Sequence, residues 1–284
     1  MCKNIKCSIE QMHEVQLGLL KEFKRVCEKN GIRYYLACGT CLGAVRNQNF
    51  IPWDHDADVF IYANDIKKLL EVKSEFGEGY FLQGRETDPE FNYSIYRLRD
   101  SSTTCIEKCD SNLDINHGFC IDIYPLYYMP AKKFTLQYAI IQSYIYRICI
   151  AGRAPINHGK LFKLCAKGIL KLYQGKRREK KILSCRKLLM KYQNTNRVLT
   201  YFGLDISPTS VISYDKKWFD YPSRLKFADD EFAGPTNPDA YLKMRYGNYM
   251  ELPPIGEQSP KFDELECADI SVSYEKYKGV FYKK

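Results

Sequence analysis

Three aspartates at every second position, Asp54, Asp56 and Asp58, lead straight into the apolar run Val59-Phe60-Ile61-Tyr62. Residues two apart on a strand share a face, so this pattern sets Asp56 and Asp58 side by side where a buried strand begins. Carboxylates held that close repel each other unless a cation lies between them. Hard divalent ions take one or two carboxylates together with substrate phosphates. Upstream, the apolar run 34–37 meets Cys38-Gly39-Thr40, and a short helical stretch follows, closed by Arg46. A glycine turn at a helix start offers backbone N–H groups and a hydroxyl to a phosphate. A metal grip and a phosphate grip on adjoining segments point to phosphoryl or nucleotidyl transfer. A solvated acidic turn would explain a lone Asp-x-Asp, but explains this combination less well.

The segment Gly118-Phe-Cys-Ile-Asp-Ile-Tyr-Pro-Leu126 reads as a buried strand interrupted by Asp122. A carboxylate inside an apolar strand is costly unless it is paired, hydrogen-bonded or on a metal. The economical expectation is that this strand lies beside Asp56-x-Asp58 and completes an acidic triad. Asp122 would then bind metal or take the proton from an attacking hydroxyl. Arg97 and Arg99 share one face of a preceding strand-like run, which makes Arg97 a candidate phosphate contact.

The 284 residues are enough for a sizeable core. No basic start leads into an apolar run, and no apolar stretch approaches the length of about 18 residues that a membrane span needs. The expectation is a cytoplasmic protein without a secretory leader, whose twelve cysteines are reduced thiols. A net charge of +9 suits phosphorylated substrates, an anionic membrane or nucleic acid. The charge concentrates between residues 160 and 191, with twelve Lys or Arg against the single acid Glu179. That stretch and the apolar, aromatic stretch 134–151 read as two helices. One reading is a lobe with a solvated basic face. Another is peripheral contact with the inner face of an anionic membrane, or with a phosphorylated lipid-linked acceptor. Nucleic acid ranks lower, because no RNA- or DNA-binding motif accompanies the charge.

Around these stretches the pattern predicts a scaffold helix over 8–30, capped by Ser8 and stopped at Gly31, with His13 as an ordinary helix residue. A second helix is expected over 65–76, capped by Asn64. Short strands are expected at 80–82, 93–98, 103–106, 218–220 and 226–227. A helix is expected over 240–246, and after Pro254 a loosely patterned tail. The expected division is a catalytic core over 1–130, a helical basic segment over 131–195, and a C-terminal part over 196–284 that packs on the core. Two cysteine arrangements read as decoys. Cys38-Gly-Thr-Cys41 lacks a thioredoxin-like setting and the four ligands of a zinc site, and the spacing of Cys105, Cys109, His117 and Cys120 matches no common zinc motif.

In order along the chain, Leu36-Ala-Cys-Gly-Thr-x-Leu-Gly-Ala-Val-Arg46, Phe50-Ile-Pro-Trp-Asp54, Asp56-x-Asp58, Arg99-Asp-Ser-x-Thr103, His117-Gly-x-x-Ile-Asp-Ile-x-Pro-Leu126 and Tyr246-Gly-x-Tyr-Met-x-Leu-Pro-Pro254 resemble the LicD family of phosphotransferases, within the nucleotidyltransferase-fold superfamily. The resemblance implies an α+β fold, with a nucleotidyltransferase-like mixed β-sheet flanked by helices, and the basic helical stretch read above is then an inserted lobe. It implies transfer of a phospho-alcohol, most often phosphocholine from CDP-choline, to a sugar hydroxyl of a cell-surface glycan or lipid-linked precursor, with CMP leaving. By position, Asp56 and Asp58 would bind Mg²⁺ or Mn²⁺, with Asp54 a further ligand and Asp122 the base or third ligand. Gly39 and Thr40 would line the phosphates of the CDP-alcohol donor, and Arg46 would steady them. His55 stands where the family often has Asp. Two other readings remain open: transfer of an NMP group itself, which would release pyrophosphate, and a non-enzymatic membrane- or RNA-binding scaffold, which would tolerate Asp56→Asn and Asp58→Asn.

Overall fold

A computed structural model describes residues 4–154, 159–193, 195–201, 205–206 and 210–283. The chain divides into two compact units: residues 1–91, 96–124 and 218–284, and residues 92–95 and 125–217.

The first unit opens with helix α1, Ile9–Lys29. The Ser8 hydroxyl accepts from the Gln11 amide, and the Gln11 side chain accepts from the Ser8 amide, so two otherwise orphaned donors are satisfied at the helix start. Gly31, in the left-handed region at φ +58, ends it. Its buried face runs from Met12 and Gln16 through Leu19, Leu20 and Phe23 to Val26 and Cys27. A mixed sheet follows, in the order β1-β2-β6-β4-β3. Its strands are β1 (Tyr34–Leu36), β2 (Asp58–Tyr62), β3 (Tyr80–Gln83), β4 (Tyr96–Asp100) and β6 (Phe119–Tyr128), with β5 (Thr104–Glu107) lying apart from it. Helix α2, Cys38–Asn47, joins β1 to β2, and α3, Ile66–Glu71, follows β2.

The predicted helix over 65–76 is instead α3 flanked by two short 3₁₀ turns, and its N-cap is Asp65 rather than Asn64. Glu75 is tied to the end of α1 by Lys29 and Asn30, which draws the chain off the helix axis and lets Phe76 extend into the core. The expected strand over 93–98 starts only at Tyr96. The expected strand at 218–220 is a 3₁₀ turn, Lys216–Phe219, because the Phe219 carbonyl is taken by the hydroxyls of Tyr35 and Tyr62 rather than by a ladder partner. Later in the first unit come the hairpin β9 (Ser223–Phe227) with β10 (Asp230–Gly234), helix α7 (Pro238–Tyr246) capped by Asn237, and β11 (Leu265–Asp269). The tail is therefore well built: β11 pairs antiparallel with β5, and Tyr277 and Tyr282 pack against Ile106 and Cys267. Its partner lies more than 150 residues upstream, out of reach of local pattern.

In the second unit the far end of β6 pairs with β7 (Arg197–Leu199), which pairs with β8 (Tyr214–Asp215). Three helices stand where two are expected: α4 (Lys133–Ala151), α5 (Lys160–Leu172) and α6 (Gly175–Lys191). The break falls at Gly175, whose φ of +47 a β-carbon would disfavour. The ring of Phe162 meets Tyr144 edge-on, and Lys181 donates to Gln142, which ties α5 and α6 to α4. Among the described residues no helix is long and apolar enough to cross a membrane, and every described cysteine is a free thiol.

Candidate active site

The Asp122 amide donates to the Ala57 carbonyl at 2.8 Å, which fastens β6 alongside the lead-in to β2. Asp56 and Asp122 consequently line one cleft, together with Gln16, His55, Arg97 and Glu107. Asp56 has 69% of its side chain exposed on that cleft. The protein around the cleft strips part of its hydration, and the carboxylates of Asp122, Asp54 and Glu107 add repulsion; together they push its pKa up to about 6 against the pull of His55. Burial raises Asp58 well above the usual range, with Asp56, Asp122 and Asp54 adding to the effect and Arg245 opposing it. Burial also raises Asp54. Four aspartates thus share one local field.

Asp122 is held from two sides. Arg97, directly opposite on β4, donates from Nε to Oδ1 at 2.8 Å, and the Tyr124 hydroxyl donates to Oδ2 at 3.3 Å. Arg97 also lies 3.1 Å from Glu107, whose pKa it lowers, and 3.9 Å from Asp110. The predicted phosphate contact therefore faces three carboxylates. Arg99, two residues on, is buried and donates to Gln83 and to the Gly118 carbonyl.

Gly39 and Thr40 lie in the first turn of α2 and meet the acids. The Thr40 hydroxyl accepts the Asp58 amide at 2.7 Å. A β-carbon on Gly39 would overlap Oδ2 of Asp54, so only glycine leaves that carboxylate its place. The first amide of α2, that of Cys38, donates to the Tyr241 hydroxyl. Arg46 is not brought to the acids. It sits about 10 Å along the helix from Gly39, donating to Asn47 and to the Tyr249 carbonyl.

Several contributors escape a sequence reading. His13 Nε2 donates to the Asp54 carbonyl at 2.7 Å, its ring stacked on Phe50 at 4.3 Å, and burial lowers its pKa so that it acts as a neutral donor. One turn on, the Gln16 amide donates to the His55 carbonyl at 2.6 Å. Helix α1 therefore clamps two successive carbonyls of the acidic loop. The i, i+3 spacing of His13 and Gln16 was visible, but nothing local said what it faced. Asp54, His55 and Asp56 offer ligand atoms within 4.8 Å of one another, as do Glu107, Cys109 and Asp110. Cys105, His117 and Cys120 belong to no such group among the described residues; His117 instead bonds the Leu113 carbonyl and packs on Tyr282.

Residues 31–140 match the LicD/FKTN/FKRP nucleotidyltransferase domain. The chain is 25% identical over 272 residues to the lipopolysaccharide cholinephosphotransferase LicD of Haemophilus influenzae, a match covering 90% of this chain and 96% of that protein. It is 49% identical over 103 residues to the ribitol 5-phosphate transferase FKRP of Mus musculus, covering 36% of this chain but only 18% of FKRP. An uncharacterized protein of Rickettsia prowazekii, RP689, is 40% identical over 63 residues, 22% of this chain and 24% of that one. Both the acidic loop and Asp122 fall inside residues 31–140, the stretch that matches the LicD/FKTN/FKRP nucleotidyltransferase domain, and it is through this domain that the chain is similar to the LicD family.

Proposed function

We propose that this protein transfers a phospho-alcohol from a CDP-alcohol to a hydroxyl of a glycan or lipid-linked sugar, releasing CMP. The observation that carries the reading is the meeting of Asp56 and Asp122 in one cleft, within a domain whose relatives are named for moving phosphocholine and ribitol 5-phosphate. The Asp54–His55–Asp56 group and the raised pKa values of Asp56 and Asp58 fit a hard divalent cation, Mg²⁺ or Mn²⁺, held by Asp54, Asp56 and Asp58, with Asp122 close by. Such an ion supplies charge compensation for the pyrophosphate when bound.

The chain's own residues carry the rest. Asp122, oriented by Arg97 and Tyr124, takes the proton of the acceptor hydroxyl. The acceptor oxygen bonds to the alcohol-bearing phosphorus, the bond from that phosphorus to the bridging oxygen breaks, and CMP leaves with the electron pair. Catalysis of this kind rests on positioning and charge stabilisation. Gly39, Thr40 and Arg46, along one helix, are assigned to the donor. Choline as the alcohol would require aromatic faces around its ammonium. Incubation with CDP-choline, CDP-ribitol and CDP-glycerol in the presence of Mn²⁺ tests the reading, with CMP release from one of them as the expected result. The domain's description as a nucleotidyltransferase favours a second reading, transfer of NMP, which would show as pyrophosphate release from a nucleoside triphosphate and no CMP from any CDP-alcohol.

A further inference from the structure

Helix α5 has two apolar sides. One packs inward: Ala166 is buried, and Phe162 meets Tyr144 of α4. The other points to solvent. Leu161, Leu164, Cys165, Gly168 and Leu172 recur at the i, i+3, i+4, i+7 and i+11 positions of a single helical stripe, and the three leucines are 76%, 68% and 63% exposed. Helix α4 does the same at its start, where Phe134 is 85% exposed and Tyr138 and Ile141, at i+4 and i+7, are also exposed. Isolated surface leucines need no explanation, but an ordered outward row does.

The charge beside the row says what covers it. Lys160, Lys167 and Lys171 fall on one flank of the α5 stripe. On α6 the outward positions are Lys176, Lys180, Leu183, Lys187 and Lys191. Between residues 160 and 191 one acid stands against twelve cations. A second copy of this face would bring like charge against like charge. A nucleic acid would meet the lysines but leave the leucines in water. An anionic bilayer takes both: leucines enter the boundary between headgroups and acyl chains, and lysines meet lipid phosphates.

We infer that the α4–α6 lobe is a peripheral anchor for anionic membranes, with the Leu161/Leu164/Leu172 row of α5 as its inserting edge. This goes beyond the transferase reading and does not depend on it.

The test is co-sedimentation of the full-length protein with vesicles of phosphatidylcholine alone and of phosphatidylcholine with phosphatidylglycerol. Expected is binding to the anionic vesicles only, weakened by salt, and weakened at least tenfold both by Leu161→Ser/Leu164→Ser/Leu172→Ser and by Lys160→Glu/Lys167→Glu/Lys171→Glu. Should a triple variant fail to fold, an environment-sensitive fluorophore on Cys165, in a Cys109→Ser background, gives a second readout, and its emission shifts to the blue when anionic vesicles are added. CMP release from a soluble donor stays unchanged in the leucine variant, so failure of the anchor and failure of the transferase reading are told apart. The inference is overturned by absence of binding at every lipid composition, by leucine-dependent dimerisation seen in light scattering, or by tight duplex binding that the leucine variant retains.

Discussion

Arg97 and Asp122 face each other in register across β4 and β6, the guanidinium donating to the carboxylate at 2.8 Å. That buried guanidinium also stands against Glu107 and Asp110, so it faces three acids. Removing one partner of a buried ion pair leaves an uncompensated charge, at a cost of about 3–5 kcal/mol. Arg97→Ala is therefore expected to lose about that much stability in urea unfolding. Adding Asp122→Asn should restore part of it, and strictly additive losses would contradict the coupling.

Asp56 behaves oppositely. It is exposed on the cleft and repelled by its neighbours, so Asp56→Asn relieves repulsion. The variant should melt no lower than the parent without metal, while CMP release falls by about 100-fold or more, the scale on which removal of a positioned charge acts. A variant that loses activity only because it unfolds would count against this assignment.

Divalent binding should follow the protonation of Asp56. A carboxylate must lose its proton to act as a ligand, and this one titrates near 6. Manganese affinity measured by calorimetry is expected to be level above pH 7 and to fall about tenfold per pH unit below 6, more steeply if Asp58, also raised, protonates in the same range. The stability sign is the reverse in metal-free protein. A folded-state pKa above the unfolded value of about 3.9 adds stability below that value, and this is lost as pH rises through about 6. Metal should abolish that loss.

Gln16→Leu separates support from folding. The change keeps the shape, removes the donor to the His55 carbonyl, and also removes Oε1, a buried oxygen with no hydrogen-bond partner among the described residues. Stability should be kept, because a buried carbonyl without a partner is itself costly. Metal affinity should drop about 10–100-fold, as when groups that orient ligands are lost. Unchanged affinity would show that the α1 clamp is only structural.

Two glycines make a paired test. Gly39→Ala would press on the end of a movable Asp54 side chain, whereas Gly118→Ala would press on the Asp100 carbonyl, which is backbone. The first should hold its melting temperature and lose about tenfold or more in activity through a displaced carboxylate. The second should lose about 3 kcal/mol of stability. Equal melting temperatures for the two would refute the distinction.

Much of this could be read from local pattern. The alternating aspartates meet an apolar strand, Asp122 interrupts another, Ser8 and Gly31 bound α1, and Gly247 closes α7. These signals come from backbone periods and caps, which span only a few residues. By the same measure the break at Gly175 was missed, since apolar spacing continues across it, and the β5–β11 pairing had no local sign.

The sequence by itself determined which side chains could carry charge, bind a cation or end a helix. Tertiary structure alone decided their company: Thr40 engaged by the Asp58 amide, Arg97 surrounded by acids, Arg46 turned toward Tyr249, and His13 and Gln16 gripping the acidic loop from a helix some forty residues upstream. The reason is that electrostatic and hydrogen-bond energies depend on separation in space. Chain order constrains that separation only over a turn or a strand, and packing sets the rest.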